Sequence, residues 1–278
     1  MRLSISNIAW DAAEDPAVAA LLASHRIDAI DVAPGKYFPD PLTATALEIA
    51  RVRDWWCAHG IAVIGMQALL FGSSGLNLFG PPAVRARMLT RLAAVCRIGA
   101  ALGATRLTFG SPRNRDRSGL DDAAVASLAL PFFAELGRIA AEHGVVVCLE
   151  PNPARYGTNY LTDIAGTAAV VTALDHPAIR LQLDAGALTI DGEDPAQVVP
   201  RYAHLVGHVH ASEPDLVPFG TGGTDHAAVA AQLRRALPTH PVTVEMLRPT
   251  DAAPLATLDR ALAEAVRCYR DVPGEARR

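Results

Sequence analysis

Lysine is almost missing from this sequence. Lys36 is the only lysine among 278 residues, and arginine carries nearly all of the basic charge. A Schiff-base enzyme needs a lysine amine as its nucleophile, so the sequence argues against that chemistry. The formal charge of -4 also argues against binding to a nucleic-acid backbone, which needs clustered Lys and Arg. We therefore expect no nucleic-acid partner.

Long apolar runs, a secretion leader and paired cysteines are missing too. No run approaches the roughly 20 apolar residues of a membrane helix, although 50% of the residues are hydrophobic. Residues 1–7 read as a strand, without the basic segment and apolar core of a secretory leader. The four cysteines, at positions 57, 96, 148 and 268, form no CxxC pair and fit reduced packing residues. These absences predict a globular cytoplasmic protein with no membrane partner.

What is present is an alternation of short apolar runs with longer stretches rich in Ala, Leu and Arg. This pattern is typical of repeated strand and helix units around a parallel sheet. Eight strands are predicted, at residues 3–8, 27–33, 61–66, 106–110, 145–150, 179–184, 205–210 and 242–246. The clearest helices are predicted at residues 83–102, 123–143, 163–174 and 256–269. Gly60, Gly103 and Gly144 stand where a helix would end in a left-handed residue before the next strand.

Eight parallel strands close most economically into a barrel. One α/β barrel typically has about 250 residues, which suits this chain, and no linker rich in Pro, Gly or Ser divides it. The structural rival is a doubly wound open sheet, which would carry GxGxxG after its first strand. The glycine-rich stretch at residues 220–223 follows a late strand instead. We predict a single (β/α)8 TIM barrel over residues 1–272, with a C-terminal tail at 273–278.

Ionisable residues close the last four predicted strands in succession. They are Glu150, Asp184, His210 and Glu245. The active site of a TIM barrel is built at the C-terminal ends of its strands, so these side chains should converge on one rim. Three buried carboxylates and an imidazole would lose hydration and the carboxylates would repel one another, which is costly unless something compensates. We predict that one divalent metal ion does so.

The types of donor atom narrow the choice of metal. Three carboxylates and one imidazole suit Mn²⁺, Co²⁺, Zn²⁺ or Mg²⁺, and the lack of thiolates argues against a closed structural zinc site. Taken singly, a carboxylate at a strand end more often caps a helix, and a lone histidine is commonly a core residue. Four such residues at four successive strand ends would need four separate coincidences, which favours the metal site.

Other strand ends offer further pocket candidates. His208 lies two residues before His210 and points to the same side of its strand. It is either another ligand or, as we prefer, a group that packs or hydrogen-bonds beneath the metal site. Asn7 and Gln67 close apolar strands and suit the recognition of hydroxyl groups, and Asp31 stands at a similar place.

The loops add candidates with two interpretations each. Arg113 and Arg115 would either meet a phosphate or stay solvated. Residues 71–80, rich in glycine and serine, are either a lid or an ordinary surface loop. Three aromatic residues would form apolar pocket walls or pack in the helix layer: Trp10, Tyr37 and Phe71.

Four motifs at these strand ends resemble the xylose-isomerase-like TIM-barrel superfamily, which includes ketose 3-epimerases and inosose isomerases and dehydratases. The motifs are Leu149-Glu150-Pro151-Asn152, Leu183-Asp184-Ala185-Gly186, the HVHASEP run from His208 to Pro214 and the VEMLRP run from Val244 to Pro249. The resemblance extends over nearly the whole chain. It implies that the four strand-end residues bind one metal ion and that Glu150 and Glu245 are also the acid/base pair.

The resemblance also implies substrate contacts, and it has two departures. Asn152 and Glu213, within the matched motifs, are expected to contact substrate, as is Arg248, whose place three residues after the last ligand resembles inosose isomerases. Related epimerases and isomerases often carry His three residues after the metal-binding Asp, where this chain has Ala187. The epimerases carry Arg seven residues after the metal-binding His, where this chain has Val217. The substrate is therefore less well specified than the chemistry.

The expected function is that of a divalent-metal-dependent sugar isomerase or epimerase. A metal ion that chelates a carbonyl and the neighbouring hydroxyl acidifies the C–H bond between them, and a carboxylate can then take the proton to give an enediolate. Return of the proton to the opposite face gives epimerisation, and return to the neighbouring carbon gives isomerisation. Loss of hydroxide gives dehydration. The sequence leaves these outcomes open, with a sugar, a sugar phosphate or a ketocyclitol as substrate.

Two other functions use the same barrel. A non-catalytic sugar-binding barrel would keep the fold with a vestigial site, but retention of all four ligands argues against it. A nuclease like endonuclease IV would need further His and carboxylate ligands and a basic face for DNA, and neither is evident. An apolar outer helix layer would also suit a homo-oligomer.

Overall fold

In the computed structural model, which describes residues 1–270, eight parallel strands follow one another in chain order around a closed barrel. The strands are β1 (Leu3–Ser6), β2 (Ala29–Val32), β3 (Ala62–Met66), β4 (Arg106–Phe109), β5 (Val146–Leu149), β6 (Ile179–Asp184), β7 (Val206–Ser212) and β8 (Val242–Glu245). β8 pairs with β1, which completes the ring. The predicted (β/α)8 barrel is confirmed and the open sheet is wrong. The predicted tail at 273–278 and the last two residues of the predicted barrel lie outside the described residues.

Helices alternate with the strands and form the outer layer. They are α1 (Asp15–Ser24), α2 (Ala46–Ala58), α3 (Pro82–Leu102), α4 (Asp122–Glu142), α5 (Ile164–Leu174), α6 (Ala185–Asp191), α7 (Pro195–Tyr202), α8 (His226–Ala236) and α9 (Pro254–Ala265). The predicted bounds of α3, α4 and α5 agree within one residue at each end. α9 begins two residues early and passes at Val266 into a π-helical turn. Gly60, Gly103 and Gly144 have φ angles of 72°, 91° and 68°, so each makes the expected left-handed turn.

Most strands are shorter than predicted by one or two residues at an end, although β6 has the predicted bounds. β1 ends at Ser6 because the Ser6 hydroxyl accepts a hydrogen bond from the N–H of Ile8 at 3.3 Å. That contact starts a turn of 3-10 helix at Asn7–Ala9. β7 is the exception, since it runs two residues beyond its predicted end, to Ser212.

Aromatic and aliphatic side chains fill the space between the ring and the helices. Phe133 of α4 is fully buried and packs edge to face on Phe109 of β4, with ring centroids 5.6 Å apart. By length and composition α4 could also cross a membrane, but buried core helices have the same composition. Phe133 and Leu136, both fully buried here, show that one face of α4 packs against the barrel.

Strand register brings the predicted ligands to one end of the ring. Asp184 lies opposite His210 in the pairing of β6 with β7, and Ser212 lies opposite Glu245 in the pairing of β7 with β8. Glu150 directly follows β5, and its N–H binds the carbonyl of Phe109 at 3.1 Å. The residues that close β5 to β8 therefore share one rim, as the sequence predicts.

Truncation of Phe133 tests the packing of the helix layer. Phe133→Ala should lower the free energy of unfolding by about 3–5 kcal/mol, because it removes a fully buried ring and leaves a cavity. Phe71→Ala is the matched control: Phe71 is 76% exposed, so the same change there should cost under about 0.5 kcal/mol. Urea denaturation measures both changes, and equal losses would contradict the packing described here.

Candidate metal centre

Glu150, Asp184, His210 and Glu245 come together at the C-terminal rim of the barrel. Each offers one ligand atom, and these four atoms lie within 4.8 Å of one another. Nδ1 of His210 is 3.2 Å from Oε1 of Glu150 and 3.2 Å from Oε2 of Glu245. The carboxylates of the two glutamates are only 10% and 11% exposed. The cluster is thus buried and concentrated around one ring nitrogen.

Each glutamate has one oxygen near His210 and the other held by a side-chain amide. Asn152 donates to Oε2 of Glu150 at 3.1 Å, and Gln67 donates to Oε1 of Glu245 at 2.7 Å. The two amides follow β5 and β3, which are separated in the ring by β4 alone. Both amides were predicted to contact substrate, and the structure places them against the proposed acid/base pair.

Asp184 is held by the helix and the strand that flank it. Its Oδ1 accepts the N–H of Ala187 at 2.6 Å and so caps the start of α6. Its Oδ2 accepts a hydrogen bond from the Ser212 hydroxyl at 2.6 Å, and that same hydroxyl accepts the N–H of Gly186 at 3.0 Å. The carboxylate therefore has a fixed orientation toward the cluster.

Arg115 and Gly110 shape the space behind Glu150. Arg115 is fully buried, and it donates to the main-chain carbonyl of Glu150 at 2.9 Å and to the amide oxygen of Asn152. Neither alternative considered for Arg115, a phosphate contact or a solvated side chain, describes this buried position. A side chain at Gly110 would clash with Oε2 of Glu150, so a larger residue there would displace the carboxylate.

A second buried pair lies beneath His210. Nε2 of His208 is 2.7 Å from Oδ2 of Asp31, and Nε2 of His210 is 3.8 Å from the same oxygen. His208 and Asp31 are 1% and 0% exposed. His208 thus hydrogen-bonds beneath the cluster, which is the arrangement we preferred for it.

Glu213 and Arg248 are engaged in loop contacts. The Glu213 carboxylate accepts the N–H groups of Gly220 and Thr224 at 2.8 and 2.9 Å, so it secures the glycine-rich stretch at 220–223. The Arg248 guanidinium makes two 2.9 Å hydrogen bonds to Glu14, which join the loop after β8 to the turn before α1. Their expected substrate contacts stay predictions, and the structure does not bring either side chain together with the four ligands.

The aromatic candidates divide between packing and exposure. Trp10 and Tyr37 both donate to the buried carboxylate of Asp15, at 2.7 and 2.8 Å, and Trp56 donates to Tyr37. This network belongs to the helix layer, whereas Phe71 is exposed.

Residues 71–80 are partly anchored. The N–H of Leu78 binds the carbonyl of Asn114 at 2.8 Å, and the Asn114 amide binds the carbonyl of Leu76 at 2.9 Å. The second half of the proposed lid is therefore held by the loop after β4.

Sequence reasoning missed Ser212 and the burial of Arg115. Ser212 could have been found by extending the alternation of His208 and His210 by two residues, since all three face the barrel interior. No signal in the sequence marks Arg115, because its contact with Glu150 depends on the path of a loop.

Burial and charge shift the pKa values of the cluster in opposite directions. Burial, with the charges of Glu245 and Glu150, raises the pKa of Asp184 to about 7. Burial would raise the pKa of Glu150, but the ion pair with His210 outweighs it and lowers that pKa. Burial would lower the pKa of His210, but the charge of Glu245 and the contacts with Asp31 and Glu150 raise it well above its ordinary value. Without a metal ion, the cluster therefore holds protons at neutral pH.

The donor set fits one divalent ion. Within residues 1–270, Oε1 of Glu150 and Nδ1 of His210 are buried without a well-aligned hydrogen bond, although they lie 3.2 Å apart. A cation between them would bind both atoms. It would also offset the part of the charge on the three carboxylates that His210 does not balance.

Metal affinity is expected to fall as the pH drops through about 7. His210 holds a proton at neutral pH, and Asp184 gains one below about pH 7, and a bound cation must displace both. For each unit by which the pH is lowered, the logarithm of Kd should therefore rise by about two below pH 7 and by about one just above pH 7. Calorimetric titration with Mn²⁺ in buffers of different ionisation enthalpy measures the protons released. An affinity that does not change with pH would contradict this assignment.

Gly110→Ala should weaken metal binding by about 10- to 100-fold, the range found when groups that orient a ligand are changed. The added methyl group would displace the Glu150 carboxylate. Gly35→Ala is the matched control, because a Cβ there meets its nearest neighbour at an ordinary 3.7 Å. Equal Mn²⁺ affinity in the two variants would show that the position of Glu150 does not matter for binding.

Comparison with solved structures finds the same barrel in several sugar epimerases. The D-psicose 3-epimerase from Clostridium cellulolyticum H10, solved with D-tagatose, is 17% identical, with a TM-score of 0.78 over 97% of this chain and 98% of that one. The 3-keto-D-glucoside 4-epimerase from E. coli is 19% identical, with a TM-score of 0.78 over 96% and 100%. The IOLI protein, solved with a bound zinc atom, is 16% identical, with a TM-score of 0.73 over 98% and 100%. At these identities the likeness shows the fold.

Sequence comparison identifies the family. A search of curated protein sequences gives no significant match. The sequence model of the xylose isomerase-like TIM barrel, however, matches residues 19–272. This match covers most of the chain and agrees with the resemblance of the strand-end motifs. The protein therefore belongs to the xylose isomerase-like TIM-barrel family.

Proposed function

We propose that the protein is a divalent-metal-dependent sugar isomerase or epimerase in which Glu150 and Glu245 transfer the proton. The observation that carries the proposal is the arrangement of these two glutamates around one histidine nitrogen, each 3.2 Å from Nδ1 of His210. Two carboxylates on opposite sides of one substrate carbon allow removal of a proton on one face and its return on the other. The sugar epimerases that share the fold support this reading.

The side chains around the glutamates support their role as bases. The oxygens that face away from His210, Oε2 of Glu150 and Oε1 of Glu245, each accept one amide hydrogen bond. A carboxylate oxygen has a second lone pair, so each can still take a proton from carbon. The amides of Asn152 and Gln67 fix the carboxylate planes and so keep the bases oriented.

Glu150, Asp184, His210 and Glu245 would hold the metal ion. When bound there, a divalent cation would polarise a carbonyl group and acidify the neighbouring C–H bond. Asp184 and His210 would act chiefly as ligands. Ser212 and the start of α6 fix the Asp184 carboxylate, and the barrel interior encloses the His210 ring.

Unpartnered polar atoms just after β1 and β3 favour a substrate with hydroxyl groups. Within the described residues, Nδ2 of Asn7 and Oε1 of Gln67 are buried and lack a hydrogen-bond partner. One is a donor and the other an acceptor, and a hydroxyl group can bond to either kind. The two residues retain the role in hydroxyl recognition expected from the sequence.

The charges on the rim favour a neutral substrate over a phosphate ester. Arg155 is paired with Asp215 through two hydrogen bonds, of 2.8 and 2.6 Å, and Arg248 is paired with Glu14. Arg115 is buried against main-chain and amide oxygens. Arg113 is exposed. A phosphate would have to bind Arg113 at the surface or displace one of these pairs, so free ketoses and ketocyclitols are the preferred candidates.

Deuterium uptake from solvent tests the proposal. The protein is incubated in D₂O with Mn²⁺ and, in turn, free ketoses, pentose and hexose phosphates, inososes and hydroxypyruvate. Exchange at the carbon next to the carbonyl should require the metal, and mass spectrometry and NMR should locate the deuterium. Glu150→Gln and Glu245→Gln should each slow exchange by about 10²- to 10⁴-fold, the usual contribution of a general base.

Glu142→Gln is the matched control, since Glu142 lies on the exposed side of α4. This variant should catalyse deuterium exchange as fast as the unaltered protein. Bound Mn²⁺ is measured in each variant to separate loss of the base from loss of the ion. Absence of exchange across the whole panel, with Mn²⁺ bound, would favour a non-catalytic sugar-binding barrel. The product then distinguishes epimerisation from isomerisation and dehydration.

A further inference from the structure

Asp31 is buried in the barrel interior, and within residues 1–270 it has no salt bridge to an arginine or a lysine. Its Oδ2 lies 2.7 Å from Nε2 of His208, and the Ser4 hydroxyl donates to its Oδ1 at 3.4 Å. It is 0% exposed. Burial of a carboxylate is costly unless it is paired and hydrogen-bonded, so Asp31 depends on its contacts with His208 and Ser4.

The backbone is built to aim this carboxylate inward. The pairing of β2 with β3 shifts register between Ile30 and Asp31, and Gly65 then lies opposite Asp31. A Cβ on Gly65 would be 2.5 Å from the Asp31 carboxylate, so only glycine leaves it room. Register shifts of this kind commonly redirect a side chain near an active site.

His210 stands between this carboxylate and the ligand cluster. Its Nδ1 faces Glu150 and Glu245, each at 3.2 Å, while its Nε2 faces Oδ2 of Asp31 at 3.8 Å. A neutral imidazole carries its proton on one nitrogen and a lone pair on the other. If a cation takes the lone pair of Nδ1, the one remaining proton lies on Nε2, where the negative charge of Asp31 attracts it.

We propose that Asp31 is a positioning residue for the metal centre: held by His208 and accommodated by Gly65, its carboxylate attracts the proton on Nε2 of His210 when Nδ1 binds the metal ion. Metal-binding histidines commonly have such a carboxylate partner, which fixes the ring and increases its basicity. The inference rests on the metal site of the proposed function, and it concerns residues of β2 and β3 that contribute no ligand.

Two variants test the inference by measuring metal affinity rather than turnover. Asp31→Asn keeps the volume and removes the charge, and Gly65→Ala keeps the charge and displaces the carboxylate. Each should weaken Zn²⁺ binding by about 10- to 100-fold. The second variant keeps the test decisive if the first fails to fold. Asp15→Asn is the control: Asp15 is also a buried carboxylate, but Trp10 and Tyr37 bind it, so its loss should leave the affinity unchanged.

Nitrogen NMR gives a signature that a purely structural role would not produce. In Zn²⁺-loaded protein with ¹⁵N-labelled histidine, His210 should show its proton on Nε2, with the signal assigned by its loss in His210→Asn. In Asp31→Asn this proton should exchange faster with solvent or move to another position. A change in unfolding free energy alone, with the affinity and the His210 signal unaltered, would overturn the inference.

Other outcomes are equally informative. Two Zn²⁺ ions per chain, with the second lost in Asp31→Asn, would make Asp31 a ligand and overturn the positioning role. Failure of the unaltered protein to bind any divalent ion would overturn both this inference and the metal dependence of the proposed function. The unaltered protein could also bind Zn²⁺, and Asp31→Asn could show the expected loss of affinity, while the unaltered protein catalyses no deuterium exchange. That result would overturn the proposed function alone.

Discussion

The burial of like charges at one point is the constraint around which this barrel is organised. Closing eight strands into a ring brings the ends of β5 to β8 together, and three of the residues there are carboxylates. Their ligand atoms and that of His210 lie within 4.8 Å of one another. Repulsion at such separations is strong where water is excluded, and a single imidazole can offset only part of it. A cation that binds this site would therefore stabilise the folded chain as well as enable chemistry.

The neighbours of the carboxylates orient them without neutralising them. Asn152, Gln67 and Ser212 are neutral donors, and each binds one carboxylate oxygen. Arg115 could have paired directly with the Glu150 side chain, but it binds the main-chain carbonyl and the Asn152 amide instead. An arginine bound to the carboxylate would compete with a metal ion and weaken the base. The arrangement keeps the negative charge available while restricting its movement, which is what preorganised sites require.

The sequence predicts the ring and its ligands because both depend on local signals. An apolar run that ends in an ionisable residue marks a strand and its functional end together. The contacts of Asp31 with His208 span 177 positions and depend on a register shift that no local pattern encodes. Arg115 reaches Glu150 through a loop whose path follows from packing. Ser212 was missed for a simpler reason: β7 was predicted to end at residue 210, whereas it continues through two more residues.

Under the proposed function, chemistry and recognition would come from different parts of the ring. The proposed ligands and bases lie at the ends of β5 to β8. Ala187 on α6 and Val217 in the loop after β7 replace the His and Arg that resemblance would lead one to expect. Ala187 offers its main-chain N–H to Asp184, but a methyl side chain cannot bind a hydroxyl group. The unpartnered amide atoms of Asn7 and Gln67 lie after β1 and β3 instead. Because the same Gln67 also orients Glu245, a substrate hydroxyl bound there would contact the group that sets the position of one base. Under the proposed function, substrate selection would therefore depend on the loops after β1 and β3 rather than on the loops after β6 and β7.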